Sequence, residues 1–286
     1  MKAGAFIDDK VDTRDVISLI PYWGGQGYLT IREVKEEKLF GLFSSPDFKF
    51  KKLNGLPGGL PLYEYTVFKR LFRDGDTVRL SDLKNEFYET MSSAQSQIER
   101  VVRKRQLHTP QSRLVWGIIP AAAAFCALLG IIFISIEQFT AGAGMFLAAI
   151  AAFIVHRPML KKNKQGMEVY QQLYGFRLFV DKADRGRIER LLADDPAYFE
   201  KTLPFAIAFG MAGDWAAHFE GLFTEPPHWY VSSYHHSSSG NAFQSFASSF
   251  ETGMRQVESS FTSSPSSSSS GGSSGGGFGG GGGGSW

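Results

Sequence analysis

Leu114 to Ile136 reads LVWGIIPAAAAFCALLGIIFISI, and Phe139 to Val155 reads FTAGAGMFLAAIAAFIV; neither stretch carries a charged side chain. At 1.5 Å per residue the first, roughly 23 positions, reaches about 34 Å, enough to cross a hydrocarbon core of about 30 Å with some tilt. The second, about 17 positions, sits at the short end of the spanning range. Glu137-Gln138 separates them. An unpaired backbone group in hydrocarbon costs several kcal/mol, so both stretches are expected to be helical. A soluble helix keeps a polar face toward water, and neither segment has one. The sequence therefore predicts a two-helix transmembrane hairpin over residues 113–156.

Working outward, Arg100, Arg103, Lys104, Arg105 and Arg113 precede the hairpin, and Arg157, Lys161, Lys162 and Lys164 follow it. The connector has neither Lys nor Arg, so the positive-inside rule places both ends in the cytoplasm and the turn outside. Small residues crowd both helices: Ala121 to Ala124 and Ala127 in the first, Gly142, Gly144 and Ala148 in the second. They let backbones approach closely, within the hairpin first and between copies of the chain as an alternative. Pro120 is expected to kink the first helix. Neither span contains an ionisable residue of the kind that marks a proton or ion path, which argues against transport by the hairpin alone. Cys126, the single cysteine, reads as a packing residue and excludes an internal disulfide or a cysteine-based metal site.

The chain has 286 residues and a formal charge of +2, so several structural units are expected and the whole molecule is no polyanion binder. The apolar run at Met1–Asp9 is too short for a signal peptide, which leaves insertion to the internal helices.

Residues 1–112 read as a small α+β domain. Asp12-Thr13-Arg14-Asp15 starts a helix with Val16, Leu19 and Ile20 on its apolar stripe, and Gly24-Gly25-Gln26-Gly27 stops it. The glycines match neither GxxxxGK[ST] nor GxGxxG and precede a strand, so they read as a turn. Strands follow at Tyr28–Val34 and Phe48–Leu53, then a helix over Tyr63–Phe72, a short strand over Thr77–Leu80, and a long helix capped by Ser81 and running toward Arg105. This order resembles a winged-helix domain. Lys49, Lys51, Lys52, Lys69, Arg70 and Arg73 are the candidate phosphate contacts in a nucleic-acid reading. Glu33, Glu36, Glu37 and Asp47 beside them, together with the membrane tether, weigh for a protein-binding module instead.

Residues 157–240 read as helical and aromatic-rich, with Pro196 in the first turn of a helix opened by Asp195. Leu203 to Gly210 is apolar but is cut off by Asp214, His218 and Glu220, which makes it a buried helix rather than a third span. His218, His228, His235 and His236 lack ligand spacing, so no metal is implied. Over residues 241–261, Phe243, Phe246, Phe250, Met254, Val257 and Phe261 fall on one helical face opposite Ser. That pattern fits either a lipid-packing sensor or a helix docked on the cytoplasmic region. Residues 262–286 form a Gly/Ser-rich tail with too little apolar surface to order itself.

Several motifs together resemble the C-terminal half of the bacterial predicted membrane proteins called domain of unknown function 2207, or YciQ-like. They are Val11-Asp12-Thr13-Arg14-Asp15-Val16 with Gly27-Tyr28-Leu29, Gly175-Phe176-Arg177-Leu178-Phe179, Leu203 to Gly210 with Trp215 and Phe219, and the Gly-rich end closing in Ser285-Trp286. The resemblance implies a bacterial inner-membrane location and, in relatives, a signal peptide, an extracytoplasmic domain and a further span ahead of this region. It implies no chemistry.

The expected fold is thus an α+β membrane protein: a winged-helix-like N-terminal cytoplasmic domain, a two-helix transmembrane hairpin, a helical C-terminal cytoplasmic region, an amphipathic helix and a disordered tail. The expected function is a non-enzymatic membrane-anchored scaffold that binds the bilayer and a protein partner; the alternative is a membrane-tethered nucleic-acid-binding regulator. No catalytic, cofactor-binding or metal-ligating residue is assigned. Asp195, Glu200, Asp214 and His218 form the one polar cluster near aromatics.

Overall fold

The computed structural model describes residues 3–35, 46–156, 161–232 and 242–265. Helix α1 spans Ala3–Asp8, α2 Thr13–Ile17 and α3 Leu19–Gly25. The single helix expected from Asp12 onward is two. Pro21 has no N–H to give the carbonyl of Ile17, so the helix restarts with Pro21 in the first turn of α3, where no donor is needed. Asp12 precedes α2, and its amide donates to Asp15 Oδ2 at 3.2 Å.

Strand β1, Leu29–Lys35, pairs antiparallel with β2, Pro46–Lys52, from Leu29↔Lys52 to Lys35↔Pro46. The two-residue period puts Leu29, Ile31 and Glu33 on the buried face of β1, alongside Phe48 and Phe50 of β2. Helix α4 covers Leu62–Leu71, and β3, Thr77–Arg79, pairs antiparallel with β2. Ser81 does not cap a long helix. Its hydroxyl donates to Asp47 Oδ2 at 2.9 Å, the segment Ser81–Leu83 is a 3-10 turn, and α5 begins later, spanning Tyr88–Lys104. Asp47, named from the sequence as an acid beside the candidate phosphate contacts, is buried holding this turn.

Beyond the hairpin lie α8 (Lys164–Lys182), α9 (Arg185–Asp194), α10 (Tyr198–Ala208), α11 (Ala212–Ala217), β4 (Tyr230–Val231) and α12 (Ala242–Thr262). Strand β4 pairs parallel with β1 at Ile31↔Tyr230, giving the order β3-β2-β1-β4. The flank of β1 that a free three-stranded wing leaves open is therefore taken by a strand from the far side of the hairpin. One hydrophobic core joins Leu19, Trp23, Phe50 and Ile98 from before the hairpin with Val180, Leu203, Trp215 and Trp229 from after it.

All six apolar residues of α12 are buried in that core, where Phe261 stacks on Phe87 at 3.9 Å and Phe246 meets Tyr230 at 4.8 Å. A buried side chain of this size contributes about 1.5–3 kcal/mol, so turning six of them out to a bilayer would forfeit what insertion gains. The face is a docked one, and the lipid-sensing alternative falls. Asp195 and Pro196 precede α10 rather than opening it, and α10 itself is buried at Leu203, Ala206 and Ile207, as its apolar run predicts.

The apolar stretches form α6, Pro110–Ser135, and α7, Phe139–His156, which pack on each other. Helix α6 begins ahead of the apolar run because Thr109 caps it, accepting from Ser112 N at 3.4 Å, and Pro110 fits the first turn. A Cβ on Gly142 would stand 3.0 Å from the Gly130 carbonyl, so small residues do set the approach inside the hairpin. Outward, Leu114, Phe125, Leu147 and Phe153 are each more than 60 % exposed. Among the described residues, α6 is the one helix long and apolar enough to cross a membrane; the apolar part of α7 is shorter.

Candidate functional site

A cavity of about 570 Å³ lies where α1, α3, α4, α8 and α10 meet, between the segments before and after the hairpin. Its construction starts at the glycine turn. Trp229 lies so close over Gly24 that a Cβ there would meet the indole at 2.8 Å, and Gly27, with φ +76°, turns the chain into β1. The indole Nε1 donates to Glu200 Oε2 at 2.9 Å, and His228 Nδ1 stands 3.6 Å from Oε1. Glu200 lies in the first turn of α10, where the helix dipole favours a carboxylate.

Opposite Glu200, α4 contributes Tyr63 and Glu64 and α3 contributes Tyr22. Burial pushes the Tyr22 and Tyr63 hydroxyls above their usual range, and the Glu64 carboxylate beside them adds to the rise. Phe6, Leu173 and Phe205 supply the apolar wall. Lys201 is the one lysine or arginine of the lining, and its ammonium is held by Asp195 at 2.7 Å. That pair holds the Asp195 carboxyl below its usual range, chiefly through the Lys201 hydrogen bond. The lining thus sets two glutamates among aromatic and apolar side chains, with Lys201 engaged by Asp195.

Of the four polar residues singled out from the sequence, Glu200 lines the cavity and Asp195 acts through Lys201. Asp214 and His218 belong to α11 and its end, away from the lining; His218 packs edge-on against Trp215 at 6.0 Å. His235 and His236 lie outside the described residues, and among the described residues no three His, Cys, Asp or Glu are grouped to hold a metal ion. Tyr22, Gln26, Tyr63 and Glu64 were missed by the sequence reading. One signal for Glu64 was present: an acid beside Tyr63 and one turn ahead of Val67 and Phe68, on the apolar stripe of α4.

Three of the six expected phosphate contacts are paired with acids. Lys52 pairs with Asp76 at 3.4 Å, Arg70 with Glu86 at 2.9 Å and Arg73 with Asp74 at 2.9 Å. Arg73 and Asp74 reinforce each other: their hydrogen bond raises the guanidinium and lowers the carboxyl.

The body is mixed helix and sheet, with an exposed apolar helix pair extending from it and a partly open cavity in its side. The chain matches the family described as predicted membrane protein (DUF2207), C-terminal domain, over residues 4–219, and it belongs to that family. The match stops short of β4 and α12, although both complete the core. No curated protein and no solved structure matches the chain.

Proposed function

We propose that this protein is a membrane-anchored, non-enzymatic binding protein whose body takes up an organic cation, an amine or guanidinium on an apolar stem, presented by a partner. The hairpin crosses a bacterial inner membrane, and both flanking segments lie in the cytoplasm. The observation that carries the reading is the cavity itself: Glu64 and Glu200 set among Tyr22, Tyr63, Phe6 and Phe205, with the one lining lysine already engaged by Asp195. The aromatic and apolar side chains that surround the two glutamates suit holding a cation on an apolar stem. The cavity wall includes Val169 and Leu173 of α8, within about three turns of the helix start that follows the membrane.

The test is a thermal shift of the detergent-solubilised full chain with hexylamine and with an arginine amide, against hexanoate as the anionic control. Both cations raise the Tm and hexanoate does not; Glu200→Gln removes the response. Equal shifts with hexanoate, or none with either cation, end the reading. Orientation is checked separately with Gln138→Cys in a Cys126→Ser background. An impermeant maleimide labels it from outside intact cells, and labelling only after lysis reverses the topology.

A further inference from the structure

A second cavity, of about 360 Å³, lies at the foot of α6, and we propose that it holds the phosphate headgroup of a membrane phospholipid, with anionic headgroups preferred. The inference rests on the reading of the hairpin as membrane-spanning, not on the cation site. Lys10, Arg103 and His108 line the cavity together with Val102, Trp116 and Gly117. Its two acids are compensated. Asp9 Oδ1 accepts from Lys162 Nζ at 2.6 Å and faces His108 Nε2 at 2.9 Å, while Glu99 Oε1 is paired with Arg103 at 3.4 Å. Lys10 forms no ion pair among the described residues, and the acid beside it, Asp8, which accepts from the Lys10 amide at 3.1 Å, is not part of the lining. The Glu99–Arg103 pair is more than half exposed on both sides, which makes it a weak bond that a phosphate oxygen can outcompete.

The level of the site along α6 selects a lipid over a soluble phosphate. Trp116 and Gly117 lie in the second turn of α6, where the exposed apolar surface begins, with Leu114 66 % and Val115 41 % exposed. Tryptophan favours this headgroup level. A phosphodiester seated between Lys10 and Arg103 lets its acyl chains run down Leu114 and Ile118; a free phosphate leaves that apolar side bare. Asp9 fixes the geometry. It sits at φ +60°, a left-handed conformation that Asp tolerates better than most residues, and its carboxylate ties the end of α1 to both membrane connectors through His108 and Lys162.

The experiment uses the full chain in phosphatidylcholine nanodiscs doped with phosphatidylglycerol, followed by native mass spectrometry after mild detergent release. The wild type retains one phosphatidylglycerol, and the Lys10→Ala, Arg103→Ala double variant lowers that occupancy roughly tenfold or more. Gly117→Leu lowers it as well with every charge in place; nothing lies within 4 Å of a Cβ there, so the fold accepts the side chain while the cavity loses its mouth. Equal retention in wild type and both variants overturns the proposal, because the lipid is then only annular. Binding of glycerol 3-phosphate without retention of phosphatidylglycerol also overturns it, in favour of a soluble-phosphate site. Recovery of the wild type in the supernatant of detergent-free lysates is a different failure: it removes the membrane reading itself.

Discussion

Asp15 combines two roles that the sequence shows only in part. Its place at the start of a helix, near the positive end of the dipole, is legible from Asp12-Thr13-Arg14-Asp15 alone; that it accepts from the Asp12 amide is not. Its burial is not, because what covers it comes from distant chain: a Cβ on Gly4 would stand 2.8 Å from Asp15 Oδ1 and 3.0 Å from the Ala208 carbonyl. Asp15 is 1 % exposed. Burial, with the Asp8 carboxylate adding to it, raises its pKa from 3.8 to about 7 against the lowering by the Asp12 and Ala5 amides. In the unfolded chain the group ionises near 3.8, so between about pH 4 and 7 the folded state alone keeps the proton, and raising the pH through that window favours unfolding. Below it both states are protonated and nothing is lost; above it the full difference, roughly 4 kcal/mol, opposes the fold. Asp15→Asn removes this titration while keeping an acceptor for Asp12. The Tm of the variant is therefore flatter than the wild type's between pH 4 and 7 and higher at pH 8. Parallel curves for the two proteins would show that Asp15 does not titrate in this window.

Elements were legible wherever their own residues decide them and illegible wherever a remote partner does. The spacing of Phe243, Phe246, Phe250, Met254, Val257 and Phe261 defines α12 within a residue of its observed start and end, yet says nothing of what the stripe touches. Its partner includes Phe48 of β2, 2 % exposed and far away in the chain. Ser81 shows the same limit, since Asp47, not a helix, claims its hydroxyl. The two glycines that follow differ for the same reason. Gly253 of α12 lies on Phe48, where a Cβ would meet Cζ at 2.6 Å, whereas Gly175 in the middle of α8 has open space. Gly253→Val overpacks a rigid ring and lowers stability by roughly 1–3 kcal/mol. Gly175→Ala only restricts the unfolded chain and favours the helix, raising stability by roughly 0.5–1 kcal/mol. Thermal unfolding of both variants in one detergent reads the contrast, and a Gly253→Val protein as stable as wild type would mean that α12 is not seated on β2.

At the scale of the whole molecule, the hairpin is an excursion from a body that closes without it. Thr109 N donates to Lys161 O at 2.9 Å, Asn163 N to Leu107 O at 2.8 Å, and His108 bridges Lys162 antiparallel, so the chain leaves and re-enters the body side by side. Asn163 then caps α8, accepting from Gly166 N at 2.8 Å. The apolar run of Leu114 to Val155 told where this excursion lies but not that the flanking segments share a core, because nothing local in β1 announces β4, nor in α2 announces α10 and α12. The body should therefore survive removal of the hairpin. Replacing residues 110–160 by Asn-Gly, a two-residue turn suited to antiparallel ends, joins Thr109 to Lys161 with the core untouched. The shortened protein stays in the supernatant without detergent and unfolds in one cooperative step, while the full chain sediments with membranes. A shortened protein that aggregates or melts without cooperativity would show that the body depends on the hairpin for its fold. A full chain that fails to sediment would remove the anchor instead. The two results separate because the side-by-side connectors and the exposed apolar helices are independent features: the first makes the hairpin removable, and the second is the surface that a bilayer would cover.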